Sequence, residues 1–438
     1  MERASTHGDC AVTTQRRKLL WRAVKLYAVI PTAVIASFVV LAALSIVADE
    51  ASWGPVESLR KAVSDVIGAQ AATTTLQAVA GGLVTVTSIT FSVLLLAVQQ
   101  TASSLSPVVF NQWVRRRTNQ VFLGFFVGLA LYAFVVLVFV RRSTPPVLGA
   151  SIATGLTVVA LLFLVVLVYA TIEQMRPSSV TKLIRDRTLL AREREAALVS
   201  RTRRVAESGF DAVAGGHVET MGHINEIDLN LIARALERLP EGEVRLYVSL
   251  GDFAVFGQRL FDVLDGDETA AREVAAEVCD AFVISPHRDL DADATTGIDE
   301  LANIAWTNGS TSRHNPQVAR TALNQLEDIA MHWLLADPCA EAAPDLLRIV
   351  YPDNDLDRLL DTFYSLVLVS QESHQHVLAR DVLEAYARML ERADGATLER
   401  LLRDLDVADG VLDRMPPSPM LDEARHRLDS ARERALVG

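Results

Sequence analysis

The sequence has few cysteines and none of the common catalytic motifs. Cys10, Cys279 and Cys339 are an odd number without CxxC or CxxH spacing, which argues against a disulfide framework and a structural zinc site. The G-x-S-x-G, H-E-x-x-H and P-loop patterns are absent, and no serine has a recognisable base partner. We therefore expect that the protein is not an enzyme and uses no cofactor.

Charged residues are missing from four long apolar stretches, residues 26–47, 76–98, 121–140 and 147–170. Each has about 20 residues or more, which spans a hydrocarbon layer of roughly 30 Å in helical form. A backbone in lipid must satisfy its own hydrogen bonds, so these stretches predict four transmembrane helices. No small-x-small cleavage site follows the first stretch, which we interpret as a retained helix and not a signal peptide.

The net charge of −12 hides two halves of opposite sign. Residues 1–204 carry 22 basic and 10 acidic side chains, whereas residues 205–438 carry 20 and 44. This division excludes a single globular domain and a nucleic-acid binder. Basic clusters lie at residues 16–25, 115–117 and 176–204, and all fall on one side if both termini are cytoplasmic. The sequence thus predicts a multi-pass membrane protein with both termini in the cytoplasm.

The predicted fold class is an α-helical integral membrane protein with four transmembrane helices, a small β-rich barrel-sandwich-like module and an α-helical cytoplasmic domain. The expected segments are a basic tail (1–25), the transmembrane domain (26–170), a charged juxtamembrane helix (171–207), the β-rich module (208–266) and an acidic helical domain (267–438).

The bases of the juxtamembrane helix allow two interpretations. They contact anionic lipid headgroups, or they belong to a solvated connecting helix. The acidic domain also has the charge to lie close to these bases in the same chain or in a neighbour.

Part of the β-rich module resembles a known hairpin. The segment Gly251-Asp252-Phe253-Ala-Val-Phe-Gly257-Gln-Arg-Leu260 looks like the GDxVxxGxxL hairpin of lipoyl-like barrel-sandwich modules. No lysine occupies a carrier position, so the resemblance implies the shape and not a swinging-arm cofactor.

Four segments together resemble a bacterial family of predicted membrane proteins catalogued as a domain of unknown function. They are residues 76–108 with the second apolar stretch, Arg117-Thr-Asn-Gln120, the Gly251 hairpin, and residues 289–305 with Gly297-Ile-Asp-Glu-Leu-Ala-Asn-Ile-Ala305. The resemblance implies a protein of the bacterial plasma (inner) membrane with a cytoplasmic C-terminal domain, and it implies no established activity. The family tends to have an SPxxNDPxTA-like stretch after residues 289–305, of which only Asn315-Pro316 is kept here. We treat Asp289, Gly297, Asn315 and Pro316 as candidate residues of a ligand loop, which this member has altered or lost.

The second apolar stretch carries small and hydroxyl residues along one helical face: Gly81, Thr85, Ser88, Ser92 and, beyond the apolar core, Gln99. Such a face lines a water-filled path, or it lets helices pack closely. The four stretches hold no ionisable residue that would mark a coupled transporter, and four helices are few to enclose a substrate. Any pathway would therefore form at the axis of an oligomer.

The acidic residues Asp289, Asp291, Asp293 and Glu300 occupy positions 1, 3, 5 and 12 of a calcium-loop spacing. Position 6 is Ala294, where the sharp turn needs glycine. The alternative is an acid-rich helix N-terminus, which suits the helix dipole. We expect no metal site elsewhere.

These observations favour a homo-oligomeric, channel-like or permeation-related assembly in the lipid bilayer, with a cytoplasmic regulatory domain. The alternative is a non-conducting, membrane-anchored scaffold or sensor that binds a cytoplasmic protein or small ligand.

Overall fold

The computed structural model describes residues 16–50, 69–105, 113, 116–139, 146–207, 209–265, 267–288, 290–311, 316–340 and 343–437. They form two compact units. The membrane unit is Arg16–Ser179, and the C-terminal unit begins at Val180.

The membrane unit contains four long helices: α1 (Arg16–Glu50), α2 (Ala69–Ser104), α3 (Arg117–Val138) and α4 (Val147–Gln174). All four are long and apolar enough to cross a membrane, which confirms the prediction of four membrane-capable helices. At several ends the helical backbone continues beyond the predicted apolar stretch into polar residues.

Helix α3 lies at the centre of the membrane unit and packs against α1, α2 and α4. Half of its apolar window is buried, against 17% for each of the other three. Its glycines permit the close contact with α1, since a Cβ on Gly124 would lie 3.1 Å from the backbone of Pro31 and one on Gly128 would meet the ring of Phe38. The GxxxG pair is thus used for packing within the chain.

Most of α5 (Pro177–Val199) belongs to the C-terminal unit, which continues with two small sheets and two helices. In chain order these elements are β1 (Ala212–His217), β2 (Gly222–Ile227), α6 (Leu229–Ala235), β3 (Glu243–Leu246), β4 (Phe253–Ala254), β5 (Arg259–Leu264), α7 (Glu268–Cys279), β6 (Phe282–Ser285) and β7 (Ile349–Val350). The strand orders are β1-β5-β3-β7 and β4-β2-β6. Strands pair antiparallel except β3 and β7, which are parallel.

The predicted hairpin is present, and both of its glycines adopt positive φ, 82° at Gly251 and 79° at Gly257. Within the described residues neither sheet closes into a barrel, so the barrel-sandwich form is not confirmed. Strands β6 and β7 come from beyond residue 266. The core of this part also includes Val274 and Val278 of α7, so the β-rich part needs residues well past its predicted end.

Six further helices complete the C-terminal unit: α8 (Ala294–Thr311), α9 (Gln317–Ala336), α10 (Asp355–Glu372), α11 (His376–Leu390), α12 (Gly395–Leu412) and α13 (Pro419–Val437). Among the described residues they form two rows, because α8 packs on α10 and α10 on α12, while α9 packs on α11 and α11 on α13. We call this arrangement the helix array.

Candidate functional site

The predicted polar face of α2 lies on the outside of the membrane unit. Gly81, Thr85, Ser88, Ser92 and Gln99 are all exposed. The opposite side of α2 is buried against α3 and α4 through residues that share small or aliphatic side chains, namely Ala72, Leu76, Ala80, Leu83, Leu94 and Val98. The described helices of the same chain therefore leave the polar face of α2 uncovered.

The hydroxyl groups of this face are bonded within the helix. Thr85 donates to the carbonyl of Gly81 at 3.0 Å, and Ser92 donates to the carbonyl of Ser88 at 2.7 Å. A Cβ built on Gly81 would meet no atom within 4 Å. The Thr85 and Ser92 hydroxyls thus donate within the helix, and their oxygens can still accept hydrogen bonds.

The acidic loop before α8 does not assemble a metal site among the described residues. Asp291 pairs with Arg187 of α5. Asp293 is fully buried and accepts hydrogen bonds from the Thr296 amide and from the Thr295 and Thr296 hydroxyls. Glu300 lies on α8 itself, and Asp289 lies outside the described residues. The arrangement is that of an acid-capped helix N-terminus.

Gly297 and Gly251 have packing roles beside this cap. A Cβ on Gly297 would collide with the Thr188 hydroxyl of α5, and one on Gly251 would collide with Thr295 and Asp293. Two of the segments that carry the family resemblance thus meet at the start of α8. Of the other two ligand-loop candidates, Asn315 lies outside the described residues and Pro316 is buried at the N-terminal end of α9.

The Arg117–Gln120 segment begins α3. Asn119 is buried and donates from its side-chain amide to the carbonyl of Trp113 at 2.8 Å. It also lies 3.5 Å from the Gln174 side chain at the end of α4. These contacts tie one end of α3 to α4 and to the segment before α3.

The bases of α5 and the following residues bond mainly to the C-terminal unit itself. Arg185 pairs with Asp328 of α9, Arg203 with Glu243 of β3, and Arg204 with Asp353. The contact between these bases and the acidic domain of the same chain, one of the sequence-based alternatives, is therefore present. Much of the charge assigned to lipid contact is neutralised by these pairs.

The most buried of these bases is Arg192, whose residue is 1% exposed. Its guanidinium donates to Asp337 at 2.8 and 3.1 Å, to Asp353 at 2.7 and 3.0 Å and to Asp355 at 3.0 Å. The Trp333 ring lies 5.1 Å from the guanidinium carbon, in cation–π geometry. Sequence analysis treated Arg192 as one surface base among many and missed this cluster.

Two carboxyl groups of the cluster are buried beside the same guanidinium. Glu195 of α5 lies 3.7 Å from Arg192, and Asp355 of α10 accepts from Arg192 at 3.0 Å. Burial, and next the Asp355 charge, raise the pKa of Glu195 to about 10. Burial also raises the pKa of Asp355. Burial would raise the pKa of Asp353 as well, but the hydrogen bond and charge of Arg192 together with Arg204 lower it. Asp353 is therefore the ionised partner of the arginines.

The described part of the membrane unit holds a buried carboxylate just beyond the first predicted apolar stretch. Asp49, near the end of α1, accepts the amide N–H groups of Leu148 at 2.9 Å and Gly149 at 3.0 Å. The first residue before α4 is Pro146, which offers no side-chain cap. The uncapped start of α4 was the signal in the sequence, but nothing local pointed to Asp49 as the acceptor.

The fold is that of a four-helix membrane protein with a separate C-terminal unit. The chain belongs to the family of predicted membrane proteins DUF2254, whose sequence model matches residues 25–387. No curated protein and no solved structure matches the chain.

Proposed function

We propose that the protein is a channel-like homo-oligomer of the bacterial plasma (inner) membrane, with both termini cytoplasmic. Helix α2 would face the oligomer axis, and the C-terminal unit would set or gate the assembly. The observation that carries this proposal is the uncovered polar face of α2. A face of small side chains with hydroxyl oxygens is suited to packing against a second copy of the same helix or to lining a water-filled path. Aliphatic side chains would suit contact with lipid better.

The size of the membrane unit also supports assembly. Among the described residues, helices α1, α2 and α4 pack on α3, and the face of α2 that carries the hydroxyls points away from α3. A pathway lined by α2 would therefore need several copies of the chain.

The test combines imaging with flux measurements on the full chain in nanodiscs and liposomes. Ser88→Leu and Ser92→Leu place bulk on the polar face, while Val93→Leu is a matched control because Val93 is 59% exposed on another side of α2. We expect the serine variants to abolish ion flux and the control to retain it. A closed ring with Ser88 and Ser92 at the axis agrees with the proposal, whereas a monomer or a ring with this face in lipid contradicts it.

A second candidate function is a non-conducting scaffold or sensor, favoured by the helix array. Stacked helix pairs present extended surfaces that commonly bind proteins or peptides. Trp306 of α8 is 47% exposed and Val407 of α12 is 57% exposed, and both belong to the same row. For this function, liposome flux should stay at background, and a partner that co-purifies with the full chain should be lost in Trp306→Ala and Val407→Asp. Flux in the wild-type protein would argue against it.

A further inference from the structure

The carboxyl groups around Glu195 and Asp355 outnumber the positive charges that face them. Arg192 faces it from α5, with its guanidinium bonded to Asp353 and Asp337 as well as Asp355. Arg204 adds a second positive charge, but it is bonded to Asp353. From the start of α8, Asp293 contributes a further negative charge. Two arginines thus face five carboxyl groups.

The other titratable groups around the pair supply no positive charge. The Tyr351 hydroxyl accepts the Leu250 amide N–H at 2.9 Å, and burial raises the pKa of this hydroxyl well above its ordinary value. Burial likewise raises the pKa of the Cys339 thiol, which lies against the Arg192 carbonyl. Both groups are neutral at ordinary pH.

The hydrogen-bond donors around Glu195 are too few for a buried carboxylate. Glu195 Oε1 accepts the Ala294 amide N–H at 2.8 Å. Its Oε2 finds no donor and is 3.7 Å from the Arg192 guanidinium. The five N–H groups of that guanidinium donate to Asp337, Asp353 and Asp355. A buried, ionised Glu195 would therefore lack compensation, and a proton on its carboxyl group removes this charge.

We propose that α5 is held in the C-terminal unit by a proton on the buried carboxyl group of Glu195, beside Asp355, so that the packing of this helix depends on pH. The proton comes from solvent when the unit folds. Its loss leaves two buried negative charges between α5 and the N-terminal turns of α8 and α10, which repel one another and loosen these contacts. Two residues separate the end of α4 from the start of α5, so this pH dependence acts on the helix that follows the last membrane helix in the chain.

The sign of the pH dependence follows from proton linkage. Between the ordinary carboxyl pKa of 4.5 and the folded value of about 10, the folded unit holds a proton that the unfolded chain has released. The stabilisation of the folded unit by this proton is therefore complete below pH 4.5, and it is lost as the pH rises through this window. One proton changes the folding equilibrium constant by about tenfold per pH unit.

The experiment measures unfolding of the full chain in detergent from pH 5 to pH 9. Glu195→Gln replaces the protonated carboxyl group with a neutral amide and keeps the acceptor for the Ala294 amide N–H. Glu193→Gln, an exposed residue of the same helix, is the matched control. We expect the wild type and the control to lose stability with rising pH, and Glu195→Gln to lose about tenfold less in folding equilibrium constant per pH unit.

A second measurement keeps the test valid if a variant folds poorly. The infrared spectrum of the wild-type chain at pH 7 should contain a protonated carboxylic acid band that Glu195→Gln removes and Glu193→Gln keeps. Identical pH profiles of the wild type and Glu195→Gln, or the absence of that band in the wild type, would overturn the proposal.

Discussion

Asp49 shows how one side chain joins two distant membrane helices. Its carboxylate receives two amide N–H groups at the start of α4, a helix whose own preceding residue is a proline without a cap. Such charge-assisted bonds replace the missing cap and neutralise part of the helix dipole. The sequence pattern does not predict this contact, because residues 49 and 148 are far apart in the chain.

Replacement of Asp49 should destabilise the membrane unit in a graded way. Asp49→Ala leaves two buried amide donors unpaired, at a cost of about 1–3 kcal/mol, while Asp49→Asn retains one acceptor and should cost less. The measurement is unfolding of the detergent-solubilised chain by a denaturing detergent. Thr154→Ala, which removes only a hydroxyl bonded within α4, serves as the control. Equal stability of Asp49→Ala and the control would contradict the capping role.

Gly297 is a second residue whose role depends on a distant contact. Gly297→Ala should destabilise the C-terminal unit by about 1–3 kcal/mol, because the added methyl collides with Thr188 on the facing helix. Thermal unfolding of the full chain measures the change, and Thr188→Ala in the same chain should recover part of the loss.

A matched control for Gly297 lies in α12. An alanine Cβ at Gly410 would have no atom within 4 Å, so Gly410→Ala should raise stability by up to about 1 kcal/mol through helix propensity. A loss of stability at Gly410 equal to that at Gly297 would show that backbone effects, and not the Thr188 contact, decide both results.

At the scale of elements, the membrane helices and the Gly251 hairpin were predictable from the sequence, and strand β7 was not. Apolar stretches without charge identify a spanning helix by themselves, since lipid forces the backbone to bond within the segment. Strand β7 has two residues, Ile349 and Val350. It forms because it pairs with β3 and because the Arg203 amide N–H donates to the Ile349 carbonyl. No local pattern in two residues predicts such a strand, because the partner that stabilises it is remote in sequence.

One part of the candidate site was likewise predictable from the sequence, and another part was not. The polar face of α2 could be read from helical spacing, which the structure keeps. The Arg192 cluster could not, because its acids come from the end of α9, the segment before α10 and α10 itself. Only the fold brings these residues together.

The contact between α1 and α3 should depend strongly on Gly124. Gly124→Leu forces a side chain against the backbone of Pro31 and the Cβ of Val34, so we expect loss of helix packing and a drop in the unfolding midpoint. Gly155→Leu on α4 is the control, since a Cβ there meets no atom within 4 Å. If both variants unfold at the same midpoint, the close approach of α1 and α3 is not required for stability.

At the scale of the whole molecule, the C-terminal unit combines segments that are far apart in the chain. Its sheets take strands from residues 212–285 and from 349–350, and α5 is bonded to residues between 291 and 355.

Fragments of the chain should reflect this organisation. We expect residues 208–266 to remain unfolded when expressed alone, because they lack α7, β6 and β7, whereas residues 177–437 should fold. Circular dichroism and proteolysis of the two purified fragments test this. A stable, protease-resistant 208–266 fragment would show that the β-rich segment is an independent domain.

The bond between Arg192 and Asp355 joins residues 163 positions apart. During synthesis, at roughly 5–20 residues per second, the guanidinium of Arg192 is made some 8–33 s before this carboxylate. Over that time α5 has left the ribosome without the acids that bury its charge, and the four membrane helices before it have all been made. Insertion into the bilayer is thus under way before the C-terminal unit can close, and Arg192 remains hydrated until nearly the last hundred residues are translated.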